Sequence, residues 1–594
     1  MTTSAICEGS SSRQPIAKPS VANGRRPKLA DYERERTGFT WESVRRELAG
    51  GPPNAMNMAR IVVDRHAETA PDRPALRLLD RDMRATEIDY GTLRAQTNRF
   101  ANLLRDLGIP AGEVVASLLG RIPALYTTAL GALKNRDLFC PLFTAFGPEP
   151  LYQRLRLAKT RVLVTTPALY RHKIAQLREG LPALEHVLLS GGTSDEEPPE
   201  GCLALERLLA ETDDHFELPP TSEEDPALLH FTSGTTGQPK AAVHTHAAIL
   251  TQYASSRWVL DLSPDDRFWC TADPGWVTGT VYGILGPLAV GVTLVADSEP
   301  FDPRRWYRIL ESERIGVWYT TPTAIRMLMR AGDELPRGFD LSALRHAASV
   351  GEPLNPEAVT WGLQALGLPF HDTWWQTETG AIMIANYPAM DIRPGSMGRP
   401  LPGVEAAIVR RVGARAEPIA EPGVAGELAL RTGWPSMFRA YLEEPERYSR
   451  CFADGWYLSG DLARRDADGY FWFIGRGDDL IKTSGHLIGP FEVENLILEQ
   501  EGVAEVGVIG KPDPVAGEIV KAFVSLKPGF TGDESMRRSL LALARKRLGP
   551  AVAPKELEFR DRLPKTRSGK ILRRLLRAEE TGEPVGDLST LDDS

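Results

Sequence analysis

One ten-residue segment constrains this chain more than any other. The apolar run Ala227 to Leu229 leads into Phe231-Thr-Ser-Gly-Thr-Thr-Gly-Gln-Pro-Lys240. A strand that ends in small residues, hydroxyls and one cation presents its backbone to something rich in oxygen. Glycines such as Gly234 let the backbone approach closely, the hydroxyls of Thr232, Ser233, Thr235 and Thr236 donate hydrogen bonds, and Lys240 adds charge. These are the properties of a phosphate cradle. The lysine follows proline rather than glycine, so this is not a Walker loop. Taken alone, a flexible solvent loop is the alternative.

The surrounding sequence has an α/β rhythm. Leu93, Phe100, Leu103, Leu104 and Leu107 recur at helical spacing from about Tyr90 and stop at Gly108, after which Glu113 to Leu119 reads as a buried strand. A helix near Ala124 to Lys134 and strands at Arg161 to Thr166 and His186 to Ser190 continue the alternation, which predicts mostly parallel sheets. Beyond a Gly- and Asp-rich turn at Gly475 to Asp479, strands at Glu505 to Ile509 and Val520 to Leu526 predict a small separate α+β unit. The expected division is a disordered tail over 1–36, a large domain over 37–477 and a small domain over 478–594, with a hinge near Asp478. A transit peptide is the alternative for the Ser-, Arg- and Pro-rich tail.

At 594 residues the chain is too long for one ordinary core. A net charge of -9, from 70 basic and 79 acidic residues, argues against nucleic acid held by bulk charge. Cys7, Cys140, Cys202, Cys270 and Cys451 are scattered singly, which predicts buried thiols, no zinc site and a reducing compartment. The most apolar stretch, Val281 to Ala296, is broken by Gly283, Gly286, Pro287 and Gly291, so no membrane span is expected and the cytoplasm is the expected location. His244 and His246 read as strand side chains rather than a metal pair.

Three further segments fit a nucleotide. Gly351-Glu352-Pro353 and Asp372-Thr373-Trp374-Trp375-Gln376-Thr377-Glu378 offer flat surface for a purine, with Glu378 as a carboxylate suited to Mg²⁺. Each tryptophan is either a pocket wall or a stacking platform. Asp461 suits ribose hydroxyls, joined by Arg476, with turn capping as its alternative role. Near the C-terminus, Pro564-Lys-Thr-Arg-Ser-Gly-Lys570 precedes a basic helix at Ile571 to Arg577. It reads either as a lysine reaching into a cleft between domains or as a solvated patch.

Together these segments resemble the adenylate-forming family of acyl-CoA synthetases, luciferases and peptide-synthetase adenylation domains, from about Phe39 to about Ser589. Asp273-Pro-Gly-Trp-Val-Thr-Gly279, with Ser349-Val-Gly-Glu-Pro353 and the Asp372 segment, is most similar to the acetyl-CoA synthetases within it. The resemblance implies a large N-terminal domain and a small mobile C-terminal domain that rotates between two half-reactions. It implies acetate, ATP and coenzyme A as substrates, with Mg²⁺. Lys570 then bridges carboxylate and α-phosphate, Thr232 to Lys240 hold the departing pyrophosphate, and Glu378 helps hold Mg²⁺. Val277, Thr278, Val350 and Trp375 wall the acyl pocket, while Thr278, Ser484, Gly485 and Arg545 serve coenzyme A. An acetyltransferase and deacetylase acting on Lys570 are implied partners.

One position departs from the pattern. Many relatives carry Gly-x-Arg after the hinge, whereas Gly485-His-Leu487 puts leucine in the arginine's place, which either weakens ATP binding or is offset by His486 or Lys482. The alternatives are a propionate or medium-chain synthetase, a non-catalytic homologue that binds nucleotide or acyl-CoA, and a carrier-loading adenylation domain.

Overall fold

Strands buried at every position fill the middle of two sheets, because a parallel sheet covered by helices on both faces has no wet side. The computed structural model describes residues 14–17, 26–49, 56–191, 197–232, 239–477, 479–483, 486–514, 516–550, 552–566, 571–582, 585 and 591. In the first sheet, Leu138–Pro141, Val114–Leu118, Val162–Thr165, His186–Leu189 and Cys202–Ala204 run parallel beside Pro226–Thr232. Lys240–Thr245 and then Ala440–Tyr441 complete it antiparallel. In the second, Phe370–Trp374, His346–Ser349, Val317–Thr320, Arg267–Cys270, Thr293–Asp297 and Pro74–Leu79 are parallel. Val114–Leu118 and Val317–Thr320 are buried throughout.

Helix Pro123–Lys134 is buried on every side, and it shares one apolar cluster with Val115 and Val162 of the first sheet and Leu294 and Val317 of the second. A helix with no wet face belongs between layers. Its terminal Lys134 is fully buried, and its ammonium is neutralised by Asp64 at 2.5 Å. The predicted helix from Tyr90 is observed as Tyr90–Asp106, capped by the Asp89 side chain on the Thr92 N–H, with Gly108 at φ +72. A third, antiparallel sheet includes Trp456–Arg465 and Phe471–Arg476.

The C-terminal part has its own five-stranded sheet and core, with Gly517–Leu526 at its centre and Val503–Asp513 paired along one side of it. Both strands outrun the sequence expectation, because they pair as one long antiparallel ribbon through Asp513 and Gly517. The expected helix from Ile571 starts later and runs further, as Arg573–Thr581, since Ile571 bridges Lys565 instead. The lobes meet where Arg330 pairs with Glu505 at 3.3 Å. Arg573, bidentate on Glu494, lies in the field of Glu352. The proposed hinge residue, Asp478, lies outside the described residues.

Two expectations are corrected. The supposed tail through Arg36 holds structure: Ile16 bridges Ile392, and helix Tyr32–Gly38 packs on the large lobe. Leu29 is fully buried, and Tyr32 donates its hydroxyl to Pro400 O. Sparse apolar anchors suffice there because the large lobe supplies the rest of the interface, a tertiary effect invisible to local periodicity. Of the cysteines, Cys140, Cys202 and Cys270 are buried, but Cys451 is half-exposed; Cys7 lies outside the described residues. Among the described residues no helix is long and apolar enough to cross a membrane.

Candidate functional site

Carboxyl ends of parallel strands leave backbone groups and side chains facing a crevice, and that is where the site residues gather. Thr232 ends Pro226–Thr232, Val350 follows His346–Ser349, and Trp375 follows Phe370–Trp374.

Thr232 and Lys240 are cross-strand partners, so the two ends of the glycine-rich segment close on each other. Ser233, Gly234, Thr235 and Thr236 lie outside the described residues. Lys240 lies with its ammonium 5.5 Å from the centre of the Tyr441 ring. Tyr441 in turn donates its hydroxyl to Glu378 Oε1 at 2.6 Å. Desolvation and the nearby Arg447 push the Lys240 ammonium below its usual range, while Glu378 opposes that shift. Burial and the Glu378 carboxylate hold Tyr441 as a neutral phenol.

Glu378 sits in the turn Thr377–Thr379, closed by Gly380 at φ +69. A Cβ at Gly380 would fall 2.3 Å from Ser436 O and 2.9 Å from the His244 ring, so glycine is needed for both conformation and space. Mg²⁺ usually takes one or two carboxylates and completes its shell with water and substrate phosphates. A carboxylate beside the phosphate-cradling strand, steadied by a phenol on one oxygen, fits that demand.

Asp461 is no turn cap: it lies within strand Trp456–Arg465 and gathers side chains. Its Oδ2 accepts from Trp374 Nε1 at 2.9 Å and from Gln376 Nε2 at 3.0 Å, and its Oδ1 from Arg476 Nη1 at 3.1 Å. Gln376 is held from its other end by the Tyr457 hydroxyl at 2.8 Å. Buried Trp374 is thus a wall that orients Asp461.

Asp372 is buried, and desolvation pushes its carboxyl up to about 8. It receives the Thr373 N–H and, with the Leu354 N–H, ties the loop Gly351-Glu352-Pro353 to its strand. Glu352 is occupied by Thr323 at 2.7 Å and Arg326 at 2.6 Å.

At the expected acyl end, Val350 is buried, and Val277 and Trp375 pack on the same apolar cluster. The short helix Val277–Thr280, which also carries Thr278, closes onto Asp273: a Cβ at Gly279 would lie 2.0 Å from Asp273 O. Arg121 fixes that approach by donating to Thr271 O at 2.7 Å and Ala272 O at 2.9 Å. Trp375 meets Tyr282 edge to face at 5.3 Å and donates its indole N–H to the Tyr319 hydroxyl at 3.2 Å.

The structure does not gather every expected residue. Arg545 is exposed on helix Glu534–Leu548. Lys570, Ser484 and Gly485, together with the side chains of His486 and Leu487, lie outside the described residues. His244 and His246 are buried strand side chains; Nδ1 of His244 faces Ser436 O and Nδ1 of His246 accepts the Met58 N–H, both at 3.0 Å. Sequence reasoning missed Tyr441, Tyr319 and Tyr282. Tyr319 was legible only as one more residue of an apolar strand, and nothing local marks Tyr441 as the partner of Glu378.

Comparison with known proteins identifies the family. The family described as AMP-binding enzyme matches residues 63–442, and the AMP-binding enzyme C-terminal domain matches residues 492–570. The chain is 44% identical over 567 residues to an acetyl-coenzyme A synthetase of Bacillus subtilis, covering 95% of this chain and 98% of that one. It is 37% identical over 606 residues to an acetyl-coenzyme A synthetase of Pyrobaculum aerophilum, covering 93% and 90%. Among solved structures it is similar to an acyl-CoA synthetase of Brucella canis, with a TM-score of 0.73 and 35% identity over 93% of this chain and all of that one. An anthranilate CoA ligase in complex with anthranoyl-AMP superposes with a TM-score of 0.79 and 28% identity, covering 88% and 97%.

Proposed function

The chain belongs to the family of AMP-binding enzymes, and from that premise we propose that it joins acetate to coenzyme A with ATP. The first half-reaction makes acetyl-adenylate and pyrophosphate, and the second makes acetyl-CoA and AMP. The observation that carries acetate is Trp375, a large ring at the acyl end that Tyr319 and Tyr282 hold in place. Each methylene buried in an open apolar pocket would gain about 0.8 kcal/mol, so preference for a short acid has to come from such a steric block.

Acetate is already ionised at neutral pH, so its oxygen attacks the α-phosphorus without a general base, and the task of the protein is positioning and charge. Thr232 and Lys240 hold the departing pyrophosphate. Asp461, oriented by Trp374 and Gln376, takes the ribose hydroxyls beside Arg476. Glu378 is the residue that would hold Mg²⁺, which neutralises charge on the phosphates. Lys570 stabilises the charge that grows between carboxylate and phosphate. The small lobe then turns about Asp478, withdrawing Lys570 and presenting Ser484 and Gly485 to the pantetheine arm beside Thr278, with Arg545 toward the nucleotide end of coenzyme A. Acetylation of Lys570 by a lysine acetyltransferase, reversed by a deacetylase, would remove that charge and stop the first step. The singly scattered cysteines, with three buried thiols, support a cytoplasmic location.

The test is acid-dependent formation of AMP and acyl-CoA by the purified chain with ATP, Mg²⁺ and coenzyme A, across acetate, propionate, butyrate and octanoate. Turnover led by acetate supports the reading, and preference for longer acids refutes it in favour of a propionate or medium-chain enzyme. Absence of turnover with every acid favours a nucleotide- or acyl-CoA-binding protein, the reading that Leu487 supports.

A further inference from the structure

Trp375 closes the acyl end only while its ring keeps one orientation, and an indole offers a single polar handle for fixing it. That N–H reaches the Tyr319 hydroxyl at 3.2 Å, and the same hydroxyl lies 2.8 Å from Thr373 Oγ1. Thr373 Oγ1 in turn lies 2.6 Å from Ser349 O. Proton inventory fixes the direction of the whole relay. The indole can only donate and the Ser349 carbonyl can only accept. The threonine proton therefore goes to Ser349 O, the tyrosine proton to Thr373 Oγ1, and a tyrosine lone pair receives the indole N–H.

The relay spans the pocket. Ser349 ends its strand immediately before Val350, so the chain of three hydrogen bonds connects Trp375 to the residue preceding another expected wall. Tyr319 is fully buried between them, its backbone set by strand Val317–Thr320 in register with Ala348. Its ring also stands edge to face with Tyr282 at 5.4 Å, and Tyr282 contacts Trp375 in the same manner. The Tyr282 hydroxyl is itself committed, to the Ile382 N–H and to Ser255 Oγ, both at 2.8 Å.

We infer that Tyr319 is a positioning residue for chain-length selection: its hydroxyl locks the Trp375 ring across the acyl pocket and sets that ring relative to Val350. The inference rests on the reading that Trp375 bounds the acid site. Without the hydroxyl, the indole loses its polar anchor in a buried place, and rotation toward another polar partner opens the pocket.

The experiment compares wild type, Y319F, W375G and the double variant as purified full chains, with melting temperatures recorded. Y319F raises the propionate-to-acetate ratio of kcat/KM by about tenfold, the discrimination typical of one methylene, and leaves the KM for ATP unchanged. In the W375G background Y319F moves that ratio by less than about twofold, because the group it acts through is gone. A purely structural role for Tyr319 would not produce that non-additivity. T373V, which removes the acceptor and leaves Tyr319 in place, shifts the ratio in the same direction and serves if Y319F does not fold. An unchanged ratio in both Y319F and T373V, or an equal effect of Y319F with and without Trp375, overturns the inference. If wild type turns over no acid, the acetate reading falls separately. The same four proteins are then titrated with acetyl-, propionyl- and butyryl-sulfamoyladenosine, with the same ratios expected for dissociation constants and the same results overturning them.

Discussion

At the proposed acyl end of the site Trp375 is fixed by neutral groups, the hydroxyl of Tyr319 and the ring of Tyr282, both buried and both held by desolvation far from ionisation. At the proposed phosphate end, Lys240 lies in the fields of Arg447, Glu378 and Arg476, and Lys240 and Glu378 are only partly buried. The contrast follows from the two substrates. A methyl group offers no charge to recognise, so acids can be sorted only by shape, and shape requires rigid packing. A triphosphate offers little but charge, so the proposed opposite end relies on cations and a carboxylate that remain partly accessible.

That comparison can be broken at its charged end first. K570A should slow adenylation by ~10²-fold or more, the usual loss for one preorganised charge, and should slow the thioester step less. ATP–pyrophosphate exchange and single-turnover transfer from pre-formed acetyl-adenylate read the two steps separately; equal losses would mean that Lys570 does not act where the proposal puts it. At the neutral end, W375G should extend the pocket and raise the propionate-to-acetate ratio by about tenfold or more, with little change in the KM for ATP. A change in ATP affinity as large as the change in selectivity would show that the two ends are not separable.

Acid provides a smaller and more general test. Burial lowers His66, His244, His246 and His371 to about 4 and His230 to about 3 from an ordinary 6.5. Below pH 6.5 the unfolded chain takes up protons on these histidines that the folded chain refuses, so stability falls as pH drops toward 4. Asp137 and Asp372, raised to about 7 and about 8, act in the opposite sense because the folded state keeps their protons, but they are outnumbered. The melting temperature should therefore decline steadily over that window. His230 and His244 lie on the strands that carry Thr232 and Lys240, while Tyr282 and Tyr319 do not titrate there, so the propionate-to-acetate ratio should stay flat while activity is lost. A ratio that tracks pH would contradict a neutral acyl end.

The smallest effect expected is that of salt. Raising ionic strength from 0.1 to about 0.5 M should increase the KM for ATP by a few fold through screening and leave the acid ratio untouched.

The expectations of a phosphate cradle, of nucleotide loops at Gly351 and Asp372, and of a metal-binding role for Glu378 came from the sequence because each rests on a contiguous motif whose chemistry is written in its own residues. So were the helix at Tyr90 and the buried strands, whose periodicity is local. The structured segment before Phe39 was not, since Leu29 and Tyr32 find their partners hundreds of residues away. Nor was the setting of Asp461, which only the antiparallel third sheet brings beneath Trp374 and Gln376.

The sequence alone thus determined the α/β class and the kind of ligand, and it nominated the residues proposed to face that ligand, because strand patterning and short motifs act over a few positions. Tertiary structure alone decided how those residues are held. Tyr319 reaches Trp375 across 56 positions and Tyr441 reaches Glu378 across 63. Hydrogen bonds of that span form only where neighbouring strands and their loops converge, and no local pattern encodes which strands those are.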